Sequence, residues 1–65
     1  MNIGKSIRIA LVNKEMQKKD LADKLGVTRS TVSNMVQSET CTGKALAKLC
    51  EVFEMQASDF IALGE

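Results

Sequence analysis

Apolar residues recur along the chain at helical spacing. The first set falls at i, i+4, i+7 and i+8, which places its members on one face of a helix from about residue 3 to residue 14; they are Ile3, Ile7, Ala10 and Leu11. No period-two alternation lasts long enough to indicate a strand. The pattern therefore predicts an all-helical protein.

A second, shorter helix is predicted from about Lys18 to Leu25, with Leu21 and Ala22 on its inner face. Gly26 follows the last apolar residue, at the position where a left-handed helix cap favours glycine. Ala22 is small enough for the next helix to pass close by, and Gly26 allows the positive φ of a tight turn. This segment predicts two helices joined by a turn of about three residues.

The third helix is predicted to begin after Thr28, whose hydroxyl can accept a hydrogen bond from a free backbone N–H at the helix start. Val32, Met35 and Val36 form its apolar side, and Val27 is expected to pack inward. At 100° per residue, polar residues then occupy the opposite side of this helix.

Residues 37–43 are small and polar, which predicts a loop. Thr42 is expected to cap a fourth helix at its N-terminus. The inner face of that helix is predicted from four residues with helical spacing, Leu46, Leu49, Cys50 and Phe53. A short fifth helix is predicted over residues 57–63, with Phe60 and Ile61 inward and Gly64 at its end.

A length of 65 residues fits a single domain, residues 1–65, of marginal stability. We expect no enzyme activity, because the chain has no histidine, no glycine-rich phosphate loop and too little bulk for a cleft. It has no apolar run of membrane-spanning length and no apolar signal-peptide core at its start, so a cytoplasmic location and no membrane partner are expected.

Two cysteines, Cys41 and Cys50, are too few for a structural zinc site and lack metal-binding spacing. A disulfide is not expected in a cytosolic chain. We interpret Cys50 as a small core residue and Cys41 as an ordinary loop thiol, and we expect neither a metal nor another cofactor.

Charge is unevenly distributed, although the net charge is only +1. Residues 1–36 carry seven basic and three acidic side chains, whereas residues 37–65 carry two basic and five acidic ones. The positive part could face phosphate groups, or it could simply be a set of solvated helix faces. Charge alone does not decide between these interpretations.

The segment over about residues 18–37, KKDLADKLGVTRSTVSNMVQ, resembles the helix-turn-helix of the phage Cro and repressor family, also called the xenobiotic-response-element type. The matching positions are Leu21, Ala22, Leu25, Gly26, Val27, Thr28, Val32 and Met35. The resemblance extends over about residues 3–63 through Ile3, Gly4, Ile7, Leu46, Leu49, Phe53, Met55 and Phe60. It implies an all-α, compact, five-helix, lambda-repressor-like DNA-binding domain.

The sequence departs from the family pattern at a few positions. Members of the family often have an arginine late in the first helix and a glutamate late in the third, and the two form a charged pair. Here these positions hold Leu11 and Val36. Replacing both charges together avoids a buried unpaired charge, so we expect the two side chains to touch. Gln17 is a weaker cap than the usual serine or threonine. Glu54 replaces a common glycine, so the turn after the fourth helix is expected to differ.

The resemblance implies that the third helix lies in the major groove of DNA. Arg29, Ser30 and Asn34 occupy the positions that read bases. Arginine can donate two hydrogen bonds to guanine, and asparagine can pair with adenine. The alternative for each residue is an exposed polar side chain without a role in recognition.

Contacts to the DNA backbone are expected near helix N-termini, where free N–H groups attract anions, and in the loop before the fourth helix. The candidates are Lys18, Thr28, Thr31, Ser33, Gln37, Thr40 and Lys44. Glu39 is unexpected in this loop, because phosphate would repel its carboxylate.

The function expected from the resemblance is that of a Cro-like repressor that occupies an operator. The partner is double-stranded DNA with an inverted repeat, bound by a weak homodimer and without a small-molecule ligand. One alternative is a helix-turn-helix module that binds protein. Another is an activator, or an autoregulator of a restriction-modification or toxin-antitoxin operon. The exposed polar residues of the third helix favour DNA over a protein partner.

Overall fold

The computed structural model describes residues 2–65, which form five α-helices and no strand. They are α1 (Ile3–Asn13), α2 (Lys18–Leu25), α3 (Arg29–Met35), α4 (Gly43–Phe53) and α5 (Ala57–Ala62). The predicted all-helical fold is confirmed, and the bounds of α2 are those expected from the sequence. Within residues 2–65, none of the helices is both long and apolar enough to cross a membrane.

Three helices begin with a side-chain cap. The side-chain oxygens of Asn2, Thr28 and Thr42 accept hydrogen bonds from the backbone N–H three residues later, over 3.0, 3.2 and 3.1 Å. Each bond satisfies one of the N–H groups that a helix leaves free at its start. The caps at Thr28 and Thr42 confirm the predictions, whereas the cap at Asn2 was not predicted.

Three helices end with a left-handed residue, at Glu15, Gly26 and Glu54, where φ is 54°, 72° and 55°. In each turn, the residue after the left-handed position donates its N–H five residues back along the chain, as in a Schellman motif. The expectation that Glu54 changes the turn after α4 is wrong. This turn adopts the conformation that glycine would adopt, because closing the hydrogen bonds requires a positive φ whichever residue is present.

The core forms where the inner faces of the helices meet. The rings of Phe53 and Phe60 stack with centroids 5.9 Å apart, and Leu49 joins them from α4. The other buried apolar residues are Ile3, Ile7, Ala10, Leu11, Leu21, Ala22, Val32 and Val36. Leu11 and Val36, which replace the expected charged pair, are therefore both buried in one apolar cluster. Direct contact between the two stays a prediction.

Val27 corrects a prediction, because 38% of its surface is exposed although it was expected to pack inward. Its N–H bonds to the carbonyl of Ala22, which holds it at the rim of the turn. There it lines a surface hollow with Leu25 and Met35. The side-chain packing of the helix-turn-helix therefore rests on buried Val32 and Ala22, whereas Val27 contributes its backbone N–H to the turn.

Candidate nucleic-acid interface

The site is built on the turn between α2 and α3. Gly26 ends α2 with a φ of 72°, and the N–H of Val27 donates to the carbonyl oxygen of Ala22 over 3.0 Å. Ala22 is buried, so the two helices approach each other closely at this residue. Two residues after Gly26, Thr28 caps α3. These local interactions fix the direction in which α3 leaves the turn.

One side of α3 is anchored and the other is exposed. Val32 is fully buried and Met35 is partly buried against the core. Arg29, Ser30 and Asn34 are exposed. The three predicted base-reading residues therefore all lie on the solvent-facing part of a helix whose opposite side is packed against the protein.

The start of α3 carries two linked hydroxyl groups. The Thr28 Oγ1 atom accepts from the N–H of Thr31 and lies 3.1 Å from the Thr31 Oγ1 atom. Both residues are exposed. This arrangement leaves hydroxyl hydrogen-bonding capacity at a helix N-terminus, where the backbone dipole attracts anions.

The loop between α3 and α4 adjoins the exposed side of α3. Asn34, Thr31 and Thr40 border the same shallow surface depression, together with Cys41 and Thr42. A predicted base-reading residue is thereby placed beside predicted backbone-binding residues. Met35 and Ala45 also line this depression, so its surface is mixed, with hydroxyl and amide groups beside apolar ones.

The remaining candidates differ in accessibility. Gln37 is exposed in the loop and Lys44 is exposed in the first turn of α4. Ser33 is only half-exposed, so it is less accessible to a ligand than its neighbours in α3. Lys18 is exposed at the first position of α2, with its side chain open to solvent.

The N-terminus of α2 already carries an acidic group. The Asp20 carboxylate accepts a hydrogen bond from the backbone N–H of Gln17 over 3.0 Å. Asp20 was missed as a site residue, although an acidic residue three positions after the cap is a recognised signal. Its carboxylate therefore supplies the negative charge that the free N–H groups of this helix end attract.

The two thiols offer little metal chemistry. Burial raises the pKa of Cys41, and burial together with the nearby Cys41 thiolate raises the pKa of Cys50. Both cysteines are free thiols, and a raised pKa favours the protonated form, which is a poor metal ligand. In the part of the chain that the structure describes, no three potential metal ligands come together.

A comparison with known protein families identifies a family whose domain includes the elements of this site. Residues 6–64 match the model of the Cro/C1-type HTH DNA-binding domain. A search of curated proteins found no match to the chain. The family match spans all of α2, the turn, α3 and the loop before α4, which are the elements that form the candidate interface. The chain therefore belongs to the family of Cro/C1-type helix-turn-helix DNA-binding domains.

Proposed function

We propose that this DNA-binding protein is a sequence-specific transcriptional repressor of the Cro type, which occupies an operator and blocks transcription. The observation that carries the proposal is the exposed side of α3. Arg29, Ser30 and Asn34 are presented to solvent together, on a helix held from behind by buried Val32. A helix placed in the major groove needs polar side chains on one face and a rigid support on the other.

The chemistry of these side chains suits base recognition. The guanidinium of Arg29 can donate to guanine O6 and N7, and the amide of Asn34 can pair with adenine N6 and N7. Each such pair would contribute about 1–3 kcal/mol of discrimination against the wrong base. Ser30 donates or accepts, so we expect it to tolerate several bases.

Backbone contacts would hold α3 in register. Thr31 and Thr40 border the same surface depression as Asn34, and the Thr28 hydroxyl lies 3.1 Å from that of Thr31. Gln37 is exposed in the loop that follows α3. We assign Lys18, Ser33 and Lys44 to the same role, with Ser33 the least accessible. Phosphate contacts position the protein and carry no direct base information.

A single α3 reads only a few base pairs, so we infer that two copies bind an inverted repeat. The described chain is 25 Å in its longest dimension, and two copies side by side can reach half-sites one helical turn apart, about 34–36 Å. We expect weak association in solution and full pairing on DNA.

A protein-interaction module is the second candidate, and the composition of α3 argues against it. An interface core is normally apolar or aromatic, whereas the exposed residues of α3 are a cation, hydroxyls and an amide. An activator, or an autoregulator of a restriction-modification or toxin-antitoxin operon, would use the same DNA-binding chemistry, so these roles differ in the gene controlled and in whether binding raises or lowers its transcription.

Selection of bound sequences from a random DNA duplex library at moderate salt tests the proposal. We expect an inverted-repeat motif for the unmodified protein. Arg29→Ala is expected to relax a guanine position in each half-site, and Asn34→Ala is expected to relax an adenine position.

The matched controls are Arg8→Ala and Asn13→Ala, which make the same chemical changes at exposed positions of α1. We expect both to select the unmodified motif. If a folded, helical protein selects no motif, base readout is wrong and the exposed side of α3 should be searched for a protein partner. Loss of base specificity in either control variant would equally contradict the assignment of base reading to α3.

Placing the selected motif upstream of a reporter gene then distinguishes a repressor from an activator.

A further inference from the structure

The first turn of α1 is bonded to the loop between α3 and α4. The N–H of Ile3 donates to the carbonyl oxygen of Glu39 over 3.0 Å, and the N–H of Gly4 donates to that of Ser38 over 2.7 Å. These N–H groups lie in the first turn of α1, so the helix itself cannot satisfy them. Two elements that are distant in sequence are therefore joined backbone to backbone.

Gly4 lies against this loop so closely that no side chain fits. A Cβ atom at Gly4 would collide with the carbonyl oxygen of Val36, and it would lie 2.6 Å from that of Ser38. Both colliding groups are backbone atoms, which cannot rotate away as a flexible side chain can. The lack of a side chain at Gly4 therefore sets the distance between α1 and the end of α3.

The opposing backbone is itself tied to α3. The N–H of Val36 donates to Val32 over 3.0 Å, and the N–H of Ser38 donates to Met35 over 3.2 Å. A displacement of Val36 or Ser38 would therefore strain the end of α3 or shift the loop. α1 thus supports the C-terminal end of α3 and the loop as one unit.

The supported segment carries two of the proposed DNA-backbone contacts. Gln37 lies between Val36 and Ser38, the two residues against which Gly4 packs. Thr40 follows Glu39 and accepts a hydrogen bond at its carbonyl oxygen from the Ser38 hydroxyl over 3.0 Å. Gln37 and Thr40 are exposed, so their positions depend on backbone that Gly4 and Ile3 hold.

We propose that Gly4 is a positioning residue for DNA binding, which acts through the α3–α4 loop without contacting DNA. This inference rests on the proposed function and deepens it. The role of Gly4 is to let α1 approach the loop closely enough to hold Gln37 and Thr40 against the DNA backbone. Arg29 and Ser30, at the start of α3, depend instead on the Thr28 cap.

The test measures affinity for the selected duplex at a temperature where every variant is folded. Gly4→Ala is expected to bind on the order of 10-fold more weakly, because one or two backbone hydrogen bonds are misplaced. Phe60→Leu is the stability control. It perturbs the core at α5, which packs against α1 and α4, and it should change affinity less than about 2-fold.

A double-mutant cycle separates positioning from general destabilisation. Thr40→Ala is expected to weaken binding in the unmodified protein but to have little further effect in Gly4→Ala, because the contact has already been displaced. Arg29→Ala should weaken binding by the same factor in both backgrounds. The inference is wrong if Thr40→Ala lowers the affinity for the duplex by the same factor in both backgrounds. It is also wrong if Gly4→Ala binds the duplex as tightly as the unmodified protein does.

Hydrogen exchange in the unmodified protein tests the same idea if Gly4→Ala does not fold. We expect the Ile3 and Gly4 amides to exchange more slowly when the duplex is bound, because binding holds the loop that accepts their hydrogen bonds. Unchanged exchange at both amides would overturn the inference. The two proposals fail in different ways, since an unmodified protein that selects no DNA sequence contradicts the proposed function itself.

Discussion

The hydroxyl oxygen of Thr28 lies 3.2 Å from the backbone nitrogen of Thr31 and 3.1 Å from the Thr31 hydroxyl oxygen. Thr28 therefore ends the turn after Gly26 and starts α3 at the same time. A single side chain connects the local folding of the helix-turn-helix with the position of its exposed polar face.

Thr28→Ala is expected to lower the free energy of unfolding by about 1 kcal/mol, because the cap of α3 is lost. Thr28→Ser retains the hydroxyl and should remain close to the unmodified protein. Urea unfolding followed by circular dichroism measures both. Thr40→Ala is the control, since this exposed loop residue caps no helix, and its change should stay within about 0.5 kcal/mol. Equal losses for Thr28→Ala and Thr28→Ser would show that the hydroxyl is not what stabilises the helix start.

Glu54→Gly is expected to stabilise the protein, because Glu54 occupies a left-handed conformation with φ of 55° at the end of α4. Glycine adopts this conformation without the steric cost of a Cβ atom, which is about 1 kcal/mol. For a domain of this size the melting temperature should rise by about 4–8 °C. Calorimetry provides the measurement.

Glu51→Gly is the matched control for Glu54→Gly, because it removes the same charged side chain from an exposed position inside α4. Here glycine should destabilise the helix by about 1 kcal/mol. A stabilising effect at both positions would mean that loss of negative charge, and not backbone conformation, raises the stability.

The left-handed turns show how far the sequence alone can predict the fold. Gly26 is recognisable because glycine is the preferred residue at such a cap. Glu15 and Glu54 carry no such signal, yet both adopt positive φ. Their conformation is imposed by the hydrogen bonds that close each helix end and by the Met residue that follows and packs against the core.

The candidate site shows the same division between local and distant interactions. The polar face of α3 and the Thr28 cap follow from helical spacing within a few residues, so the sequence predicts them. The bonds from Ile3 and Gly4 to the loop span more than thirty residues, and no local pattern encodes them. The exposure of Val27 was missed because its position is set by the geometry of the turn and not by its apolar character.

The stability of the protein is expected to fall in alkaline solution because of its cysteines. Burial raises the pKa of Cys41 and of Cys50 in the folded state. The two protonated thiols contribute fully to the free energy of unfolding below the ordinary thiol pKa. This contribution is lost as the pH rises through the higher pKa of the folded state, because the thiols of the unfolded chain release their protons at a lower pH.

Urea unfolding at about pH 7 and about pH 10, under reducing conditions, measures this loss. A variant with Cys41→Ala and Cys50→Ala should lose less stability between the two pH values than the unmodified protein does. It lacks the two thiols but keeps every other titratable group, so the difference between the two proteins measures the thiols alone. An identical loss in both proteins would assign the alkaline effect to other groups.

Glu39→Gln is expected to strengthen DNA binding by about 2–5-fold at low salt, since it removes an exposed carboxylate from the loop proposed to face phosphate. The fold should be retained, because the bond from Ile3 uses the backbone carbonyl of Glu39 and not its side chain. Added salt should shrink the gain, because it screens charges separated by more than about 10 Å at 0.1 M.

Glu51→Gln makes the same change on the outer side of α4 and should leave affinity within about 2-fold of the unmodified protein. A titration of both variants with the selected duplex, at low and at moderate salt, decides the matter. An equal gain for both would reflect net charge alone, whereas no gain for Glu39→Gln would place the loop away from the DNA backbone.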